Sequence, residues 1–92
     1  MIELTNDALD PEKVTAKVRR DTNGAVVTFL GTTRDNFEGK RVLTLEYEAF
    51  EEMAVKKLEE VRKELMAEFG LEQIAISHRI GTVGIGEISL II

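Results

Sequence analysis

The segment Gly24-Ala25-Val26-Val27-Thr28-Phe29-Leu30-Gly31-Thr32-Thr33-Arg34 carries the pattern from which the fold is first predicted. Its apolar, β-branched run between two glycines predicts a core strand from Ala25 to Thr32. This strand leads Arg34 into a polar stretch, where a planar guanidinium is suited to binding a phosphate or carboxylate through two hydrogen bonds. These residues leave open the alternative that Arg34 is a surface residue of a hairpin loop.

The length, charge and cysteine content of the chain exclude several classes of function. The 92 residues suffice for one domain, 1–92, and carry 12 basic against 17 acidic side chains for a net charge of -5. Non-specific binding to nucleic acid or to an anionic membrane is therefore not expected. With no cysteine, disulfides and thiolate chemistry are excluded. No apolar run approaches the roughly 20 residues of a membrane span, so a soluble, cytoplasmic protein is expected.

The first half of the chain predicts one helix and three strands. Residues 2–4 predict a short edge strand. Asp10-Pro11-Glu12 has the N-cap acceptor and first-turn proline of a helix start, and that helix is expected to stop near the turn cluster at 21–24. A polar loop at 35–40 precedes an apolar run at 42–47, which is predicted to return as a strand and to form a long hairpin with the strand ending at Thr32.

In the second half of the chain, the spacing of apolar residues changes from that of strands to that of a helix. A helix is predicted from Glu51 to Phe69, with Gly70 as its left-handed stop. Its apolar stripe consists of Ala54, Leu58, Val61, Leu65 and Phe69. Residues 73–80 predict a third core strand, 81–86 a loop and 87–92 a fourth strand. The result is an α+β domain with a mostly antiparallel sheet and two helices.

The last apolar run, at 87–92, has no turn, cap or polar tail after it. It is either a genuine C-terminal core strand or the start of a part of the fold that this chain lacks. Because unpaired strand edges promote association, we expect an exposed apolar edge at 90–92 and aggregation or dimerisation.

His78, beside Arg79, is the first of the other candidates for a site. A lone histidine invites a general-base role, but no cysteine or second histidine completes a metal or nucleophile set, so a structural or interface role is favoured. Gly81, Gly84 and Gly86 resemble a phosphate cradle. They are interpreted as turn glycines because a strand, not a helix, is predicted to follow them.

Two groups of carboxylates complete the candidates. Glu46 and Glu48 have the spacing of one strand face and could form a pair, although solvated acids are the simpler interpretation. Asp35 and Glu38 stand close to Arg34 in sequence and could hold its guanidinium in place, or form a surface ion pair.

Several blocks of sequence, taken together, resemble a known family. The blocks are Gly24-Ala25-Val26-Val27-Thr28-Phe29 with Gly31-x-x-Arg34, then Leu45-x-Tyr47-Glu48-Ala49-Phe50-x-x-Met53-Ala54, then His78-Arg79-Ile80-Gly81 and Gly86-Glu87. In this order and spacing they resemble the large, catalytic subunit of molybdopterin synthase, from about Gly24 to Ile92. The N-terminal helix is compatible with this family without being diagnostic of it.

The resemblance implies an α/β hammerhead fold and a homodimer that binds a ubiquitin-like small subunit at each end, as a heterotetramer. The small subunit's C-terminal thiocarboxylate would donate sulfur to cyclic pyranopterin monophosphate, and two rounds would form the dithiolene of molybdopterin. Thr32, Thr33 and Arg34 match the first substrate-binding stretch, so Arg34 would bind the pterin phosphate or the acyl terminus. No metal and no resident cofactor is expected.

The chain also departs from the family pattern, in which a second His-Arg pair, a helix and two catalytic lysines follow the last strand. Lys40, Lys56 and Lys57 match neither lysine, and His78-Arg79 matches the earlier, largely structural block. No catalytic residue is therefore assigned within this chain, which is expected to be truncated and inactive on its own. The alternative is a non-catalytic dimerisation or small-subunit-binding module.

Overall fold

The structure is a computed structural model and describes residues 1–37, 40–41, 44–47 and 51–92. Its helices are α1 (Pro11–Ala16) and α2 (Glu51–Phe69), and its strands are β1 (Ile2–Thr5), β2 (Leu30–Thr32), β3 (Asn36–Phe37), β4 (Lys40–Arg41), β5 (Thr44–Tyr47), β6 (Ile76–Arg79), β7 (Gly81–Gly84) and β8 (Ile88–Ile91). Within these ranges neither helix is long and apolar enough to cross a membrane.

Four strands form a mixed sheet in the order β1-β6-β8-β2. The β1–β6 pair is parallel, whereas β6–β8 and β8–β2 are antiparallel. Two further antiparallel pairs, β3–β4 and β5–β7, form separate two-stranded sheets. This arrangement confirms the predicted α+β class, the mostly antiparallel pairing and the short outer strand near the N-terminus.

Helix α1 begins as its sequence predicts and ends earlier than expected. The Asp10 carboxylate accepts a hydrogen bond from the Glu12 backbone N–H at 3.0 Å, the usual contact of an N-cap. The helix ends at Ala16, before the predicted stop at 21–24. The Asn23 side chain instead donates to the Val18 carbonyl at 2.9 Å and so stabilises the turn that follows.

Helix α2 has its predicted bounds. Gly70 adopts a φ of 64°, and the Leu71 N–H donates to the Met66 carbonyl at 3.1 Å, as in a Schellman motif. The helix contacts β1 but none of its described side chains is buried, and Phe69 is 63% exposed. The stripe that predicts the helix is therefore only partly covered by the sheet.

The core lies on the sheet, under α1. Val14 of α1, Ala75 and Ile91 form its buried cluster, and Ile76 and Val83 are also buried. Burying a side chain the size of isoleucine stabilises a fold by about 1.5–3 kcal/mol. Among the residues whose burial is described, the buried apolar side chains thus lie in α1, in β6 to β8 and just before β6.

The predicted exposed apolar edge at 90–92 is wrong for the backbone and for Ile91, whereas the Ile92 side chain is 39% exposed. Strand β8 lies between β6 and β2, and Ile91 is fully buried. Ile92 continues the pairing, because its N–H donates to the Phe29 carbonyl at 3.0 Å and its carbonyl accepts from the Phe29 N–H at 2.7 Å. A strand paired on both sides has no free backbone edge.

The core strand predicted from Ala25 to Thr32 is mostly wrong as well. Only Leu30–Thr32 forms a strand, and Val27 is 88% exposed. In the described ranges, pairing with the β8 side begins at Phe29, opposite Ile92. The β-branched run predicts strand propensity correctly, but burial depends on a covering element that it does not meet here.

The predicted long hairpin does not form. Strand β2 pairs with β8, and β5 pairs with β7; residues 42–43 of the predicted second strand lie outside the described ranges. The loop predicted at 81–86 is a strand over Gly81–Gly84 followed by a turn. Gly81 has a φ of 85°, which lets the chain leave β6 and start β7 one residue later.

Candidate functional site

Thr32 is the last residue of β2, and Arg34 is exposed two residues beyond it. The pairing with β8 shifts here, since Gly31 lies opposite Leu90 and Thr32 opposite Ile88. The extra residue between them, Ser89, is buried and donates from its hydroxyl to the Gly31 carbonyl at 3.3 Å. A bulge of this kind bends the strand and redirects the residues after it.

Thr33 is fixed between this bulge and the turn that precedes β8. Its N–H donates to the Glu87 carbonyl at 3.1 Å, and its carbonyl accepts from the Gly86 N–H at 2.8 Å. The residue is 2% exposed, and among the described residues its Oγ1 has no hydrogen-bond partner. The backbone before Arg34 is thus anchored to this turn through both its N–H and its carbonyl.

Replacing Thr33 by valine is expected to raise the free energy of unfolding by about 1 kcal/mol, because a methyl group takes the place of a buried, unpaired hydroxyl. Urea unfolding of Thr33→Val and wild type measures the change. Thr32→Val, at an exposed position, is the control and is expected to stay within about 0.5 kcal/mol of wild type. A clear loss of stability in Thr33→Val would show that the hydroxyl is paired.

The Glu87 side chain holds the turn in place. Its Oε2 accepts from Arg79 Nη1 at 2.8 Å, and its Oε1 accepts from the Gly84 N–H at 2.8 Å. Arg79 also donates from Nε to the Asn6 carbonyl at 3.2 Å. The hydrogen bond from Arg79, together with that from Gly84, lowers the pKa of Glu87 below its ordinary value, so the carboxylate is ionised at neutral pH.

Glu87 itself is not among the candidate site residues predicted from the sequence, although its partners Arg79 and Gly84 are. Gly86-Glu87 is one of the blocks that carry the family resemblance. The sequence signal that could have predicted this contact is the spacing Gly84-x-Gly86-Glu87. A glycine at the third position is typical of a four-residue turn, and the carboxylate at the fourth position can accept a hydrogen bond from the N–H of the first residue.

The interpretation as turn glycines is confirmed for Gly86, whereas Gly81 and Gly84 are the first and last residues of β7 and Gly84 also opens the turn. The Glu87 N–H donates to the Gly84 carbonyl at 3.1 Å, and Gly86 has a φ of 78°, as in a type II turn. The Gly84 and Gly86 N–H groups donate within the protein, to Glu87 and to Thr33. They are therefore not directed at a phosphate.

His78 is half-buried on β6, opposite Leu4 and Leu90. Its Nδ1 lies 2.7 Å from the Arg79 carbonyl oxygen. This local contact favours the structural interpretation of the histidine. Arg79 is likewise engaged in binding Glu87, which favours a structural role for the His78-Arg79 pair as a whole.

The remaining carboxylate candidates are only partly described. The Asp35 carboxylate accepts a hydrogen bond from the Asn36 side chain at 2.8 Å. Glu46 lies in β5, opposite Thr82 of β7. Glu48 and Glu38, the other members of the two groups, lie outside the described residues.

A separate apolar cavity of about 270 Å³ lies between α1, the end of α2 and the segment before β2. Val18, Val27, Phe29, Phe69 and Ile92 are among its lining residues. Val27, Phe29 and Phe69 are also more than half exposed. Its lining lacks Arg34 and is not suited to an anion.

The whole chain is similar to one group of known proteins. It matches the MoaE protein family over residues 4–92. It is 44% identical to molybdopterin synthase catalytic subunit 1 of Aedes aegypti, over 99% of this chain and 59% of that protein. Identity to the catalytic subunit of Pyricularia oryzae is 41%, over 99% of this chain and 50% of that protein.

Solved structures agree with the sequence relatives. The X-ray structure of molybdopterin synthase from Staphylococcus aureus superposes with a TM-score of 0.90 at 31% identity, covering 97% of this chain and 65% of that one. The MoaE protein of Burkholderia ambifaria gives a TM-score of 0.84 at 27% identity, covering 98% of this chain and 59% of that one. The chain thus spans only part of the length of these relatives. With a family match that extends over nearly all of its residues, the chain belongs to the MoaE protein family.

Proposed function

We propose that these residues are part of a molybdopterin synthase catalytic subunit and act in molybdenum cofactor biosynthesis. The reaction is the transfer of sulfur from the C-terminal thiocarboxylate of a ubiquitin-like small subunit to cyclic pyranopterin monophosphate, which forms molybdopterin. The observation that carries the proposal is the family match over residues 4–92, in a fold that superposes on a molybdopterin synthase with a TM-score of 0.90.

Within this function Arg34 binds an anion, either the pterin phosphate or the acyl terminus of the small subunit. Three features support this role. Arg34 is an exposed residue, the bulge at Ser89 redirects the chain just before it, and the Thr33 backbone is anchored to the turn at 84–87 through its N–H and its carbonyl. A charged fork on a fixed backbone binds an oxyanion with little loss of conformational entropy.

Thr32 and Thr33 contribute differently to the proposed site. Thr32 is exposed two residues before Arg34, and we assign its hydroxyl, which can donate and accept hydrogen bonds, to contact with the ligand. Thr33 is buried, so we assign its contribution to the backbone that sets the direction of Arg34. Neither residue supplies a group that moves a proton or attacks the pterin, in keeping with a binding rather than a catalytic role.

The proposed assembly is a homodimer with one small subunit at each end. The exposed apolar side chains on the described surface support an association of this kind, since Val27 is 88%, Phe29 57% and Phe69 63% exposed. Clustered exposed apolar side chains are typical of protein interfaces.

The test combines the 92-residue chain, the thiocarboxylated small subunit and cyclic pyranopterin monophosphate. Calorimetry is expected to show saturable binding of the pterin and of the small subunit. Mass spectrometry of the pterin is expected to show no more dithiolene than a mixture without the chain, because no lysine of this chain matches a catalytic lysine of the family. Absence of both binding events would contradict the proposal.

Two other outcomes are informative. Binding of the small subunit without binding of the pterin would favour the non-catalytic module. Rapid formation of molybdopterin by the 92 residues would show that the chemistry is contained in this chain, and the assignment of catalysis to residues outside it would be wrong.

A further inference from the structure

Glu87 connects the end of β6 to the end of β7 and, through Arg79, to the segment after β1. Its carboxylate joins Arg79 on β6 to the Gly84 N–H at the end of β7, at 2.8 Å each. Arg79 in turn reaches the Asn6 carbonyl, just after β1. A carboxylate with two directed donors, one of them charged, is held more firmly than a surface acid bound by water.

The backbone of the same residue completes the connection to the candidate site. The Glu87 carbonyl accepts from the Thr33 N–H, and the neighbouring Gly86 N–H donates to the Thr33 carbonyl. The geometry of the turn at 84–87 therefore determines where the backbone of Thr33 lies. Arg34 follows directly in the chain.

We propose that Glu87 is a positioning residue for Arg34, because its carboxylate locks the turn at 84–87 to Arg79 and that turn anchors Thr33. Side chains that hold a binding residue's backbone determine how precisely it meets its ligand. This inference rests on the proposed function of Arg34, but its first consequence concerns the backbone itself and can be measured without a ligand.

Gly84 offers a second, independent way to disturb the same contact. A Cβ atom at Gly84 would overlap Oε1 of Glu87, the oxygen that accepts from the Gly84 N–H. Its backbone does not require a positive φ, and the overlapping atom is the end of a flexible side chain, so the fold tolerates alanine there. Gly84→Ala is therefore expected to displace the Glu87 carboxylate although neither Arg79 nor Glu87 is mutated.

The experiment measures amide hydrogen exchange by NMR in wild type, Glu87→Ala, Glu87→Gln and Gly84→Ala. The Thr33 and Gly86 amides are expected to exchange about tenfold faster in Glu87→Ala and Gly84→Ala. Glu87→Gln, which keeps an oxygen for the Gly84 N–H, is expected to restore part of the protection. The Ile76 amide, which donates to the Met1 carbonyl, reports global stability and is expected to change little.

The ligand readout uses cyclic pyranopterin monophosphate with the same variants and with Glu60→Gln as the control, an exposed glutamate on α2. Glu87→Ala is expected to weaken binding about fivefold and the control not at all. Unchanged amide exchange at Thr33 and Gly86 in Glu87→Ala would overturn the inference. It would also be overturned if Glu87→Ala bound the pterin as tightly as wild type while Arg34→Ala bound it more weakly. If wild type does not bind the pterin, the proposed function fails, and the exchange rates still decide whether Glu87 anchors Thr33.

Discussion

Replacing Ile91 by alanine is expected to lower the free energy of unfolding by about 3 kcal/mol. Ile91 is fully buried. It lies on the interior strand β8 and packs in the buried cluster with Val14 and Ala75. Its truncation removes buried methyl groups and leaves a cavity between the sheet and α1. Urea unfolding followed by circular dichroism measures the loss, which for a domain of this size is a large part of the total stability.

Ile85→Ala is the matched control, because it removes the same atoms from a turn residue that is 42% exposed. Its expected cost is below about 1 kcal/mol. Equal losses in the two variants would mean that β8 is not part of the core. A small loss in Ile91→Ala with an unchanged urea dependence would contradict the placement of Ile91 between β6 and β2.

The helices could be predicted because their signals are local. Asp10 accepts from the N–H two residues on, and Gly70 adopts its left-handed conformation, whatever the rest of the chain does. These contacts span a few residues of sequence. The early end of α1 at Ala16 is the exception, and the turn after it contains a hydrogen bond from the Asn23 side chain to the Val18 carbonyl, five residues earlier.

The strands could be predicted only as segments. The runs before Thr32 and at 87–92 have similar apolar composition, yet Val27 is 88% exposed and Ile91 is fully buried. The difference lies in which strands neighbour each run, and a β-branched run does not specify its partner. The same ambiguity explains why the predicted hairpin is wrong: the sequence favours pairing between neighbouring strands, whereas the strand ending at Tyr47 pairs with β7.

In the candidate site, too, the local features could be predicted from the sequence and the features that depend on strand pairing could not. Arg34 could be singled out because a guanidinium after an apolar run is visible in the sequence. The anchoring of Thr33 by Glu87 could not, since more than fifty positions separate the two and only the β2–β8 pairing brings them together. The burial of Thr33 and the bulge at Ser89 follow from that pairing as well.

Arg34→Ala is expected to weaken the binding of cyclic pyranopterin monophosphate by about 10- to 100-fold, the loss of a charged hydrogen-bonding group worth roughly 1.5–3 kcal/mol. The side chain is exposed, so the stability of the fold is expected to change by less than about 0.5 kcal/mol. Isothermal calorimetry gives the affinity and urea unfolding the stability. A large loss of stability would mean that the arginine supports the fold instead of the ligand.

Two further variants separate the role of the guanidinium from that of its charge. Arg34→Lys keeps the charge but loses the planar fork, so its affinity is expected to fall between wild type and Arg34→Ala. Arg19→Ala removes an equal charge from an exposed position three residues after the end of α1 and is expected to leave the affinity unchanged. Equal losses in Arg34→Ala and Arg19→Ala would show that the protein's overall charge governs binding. A selective loss at Arg34, graded through lysine, is the result that only a fixed anion site at the end of β2 explains.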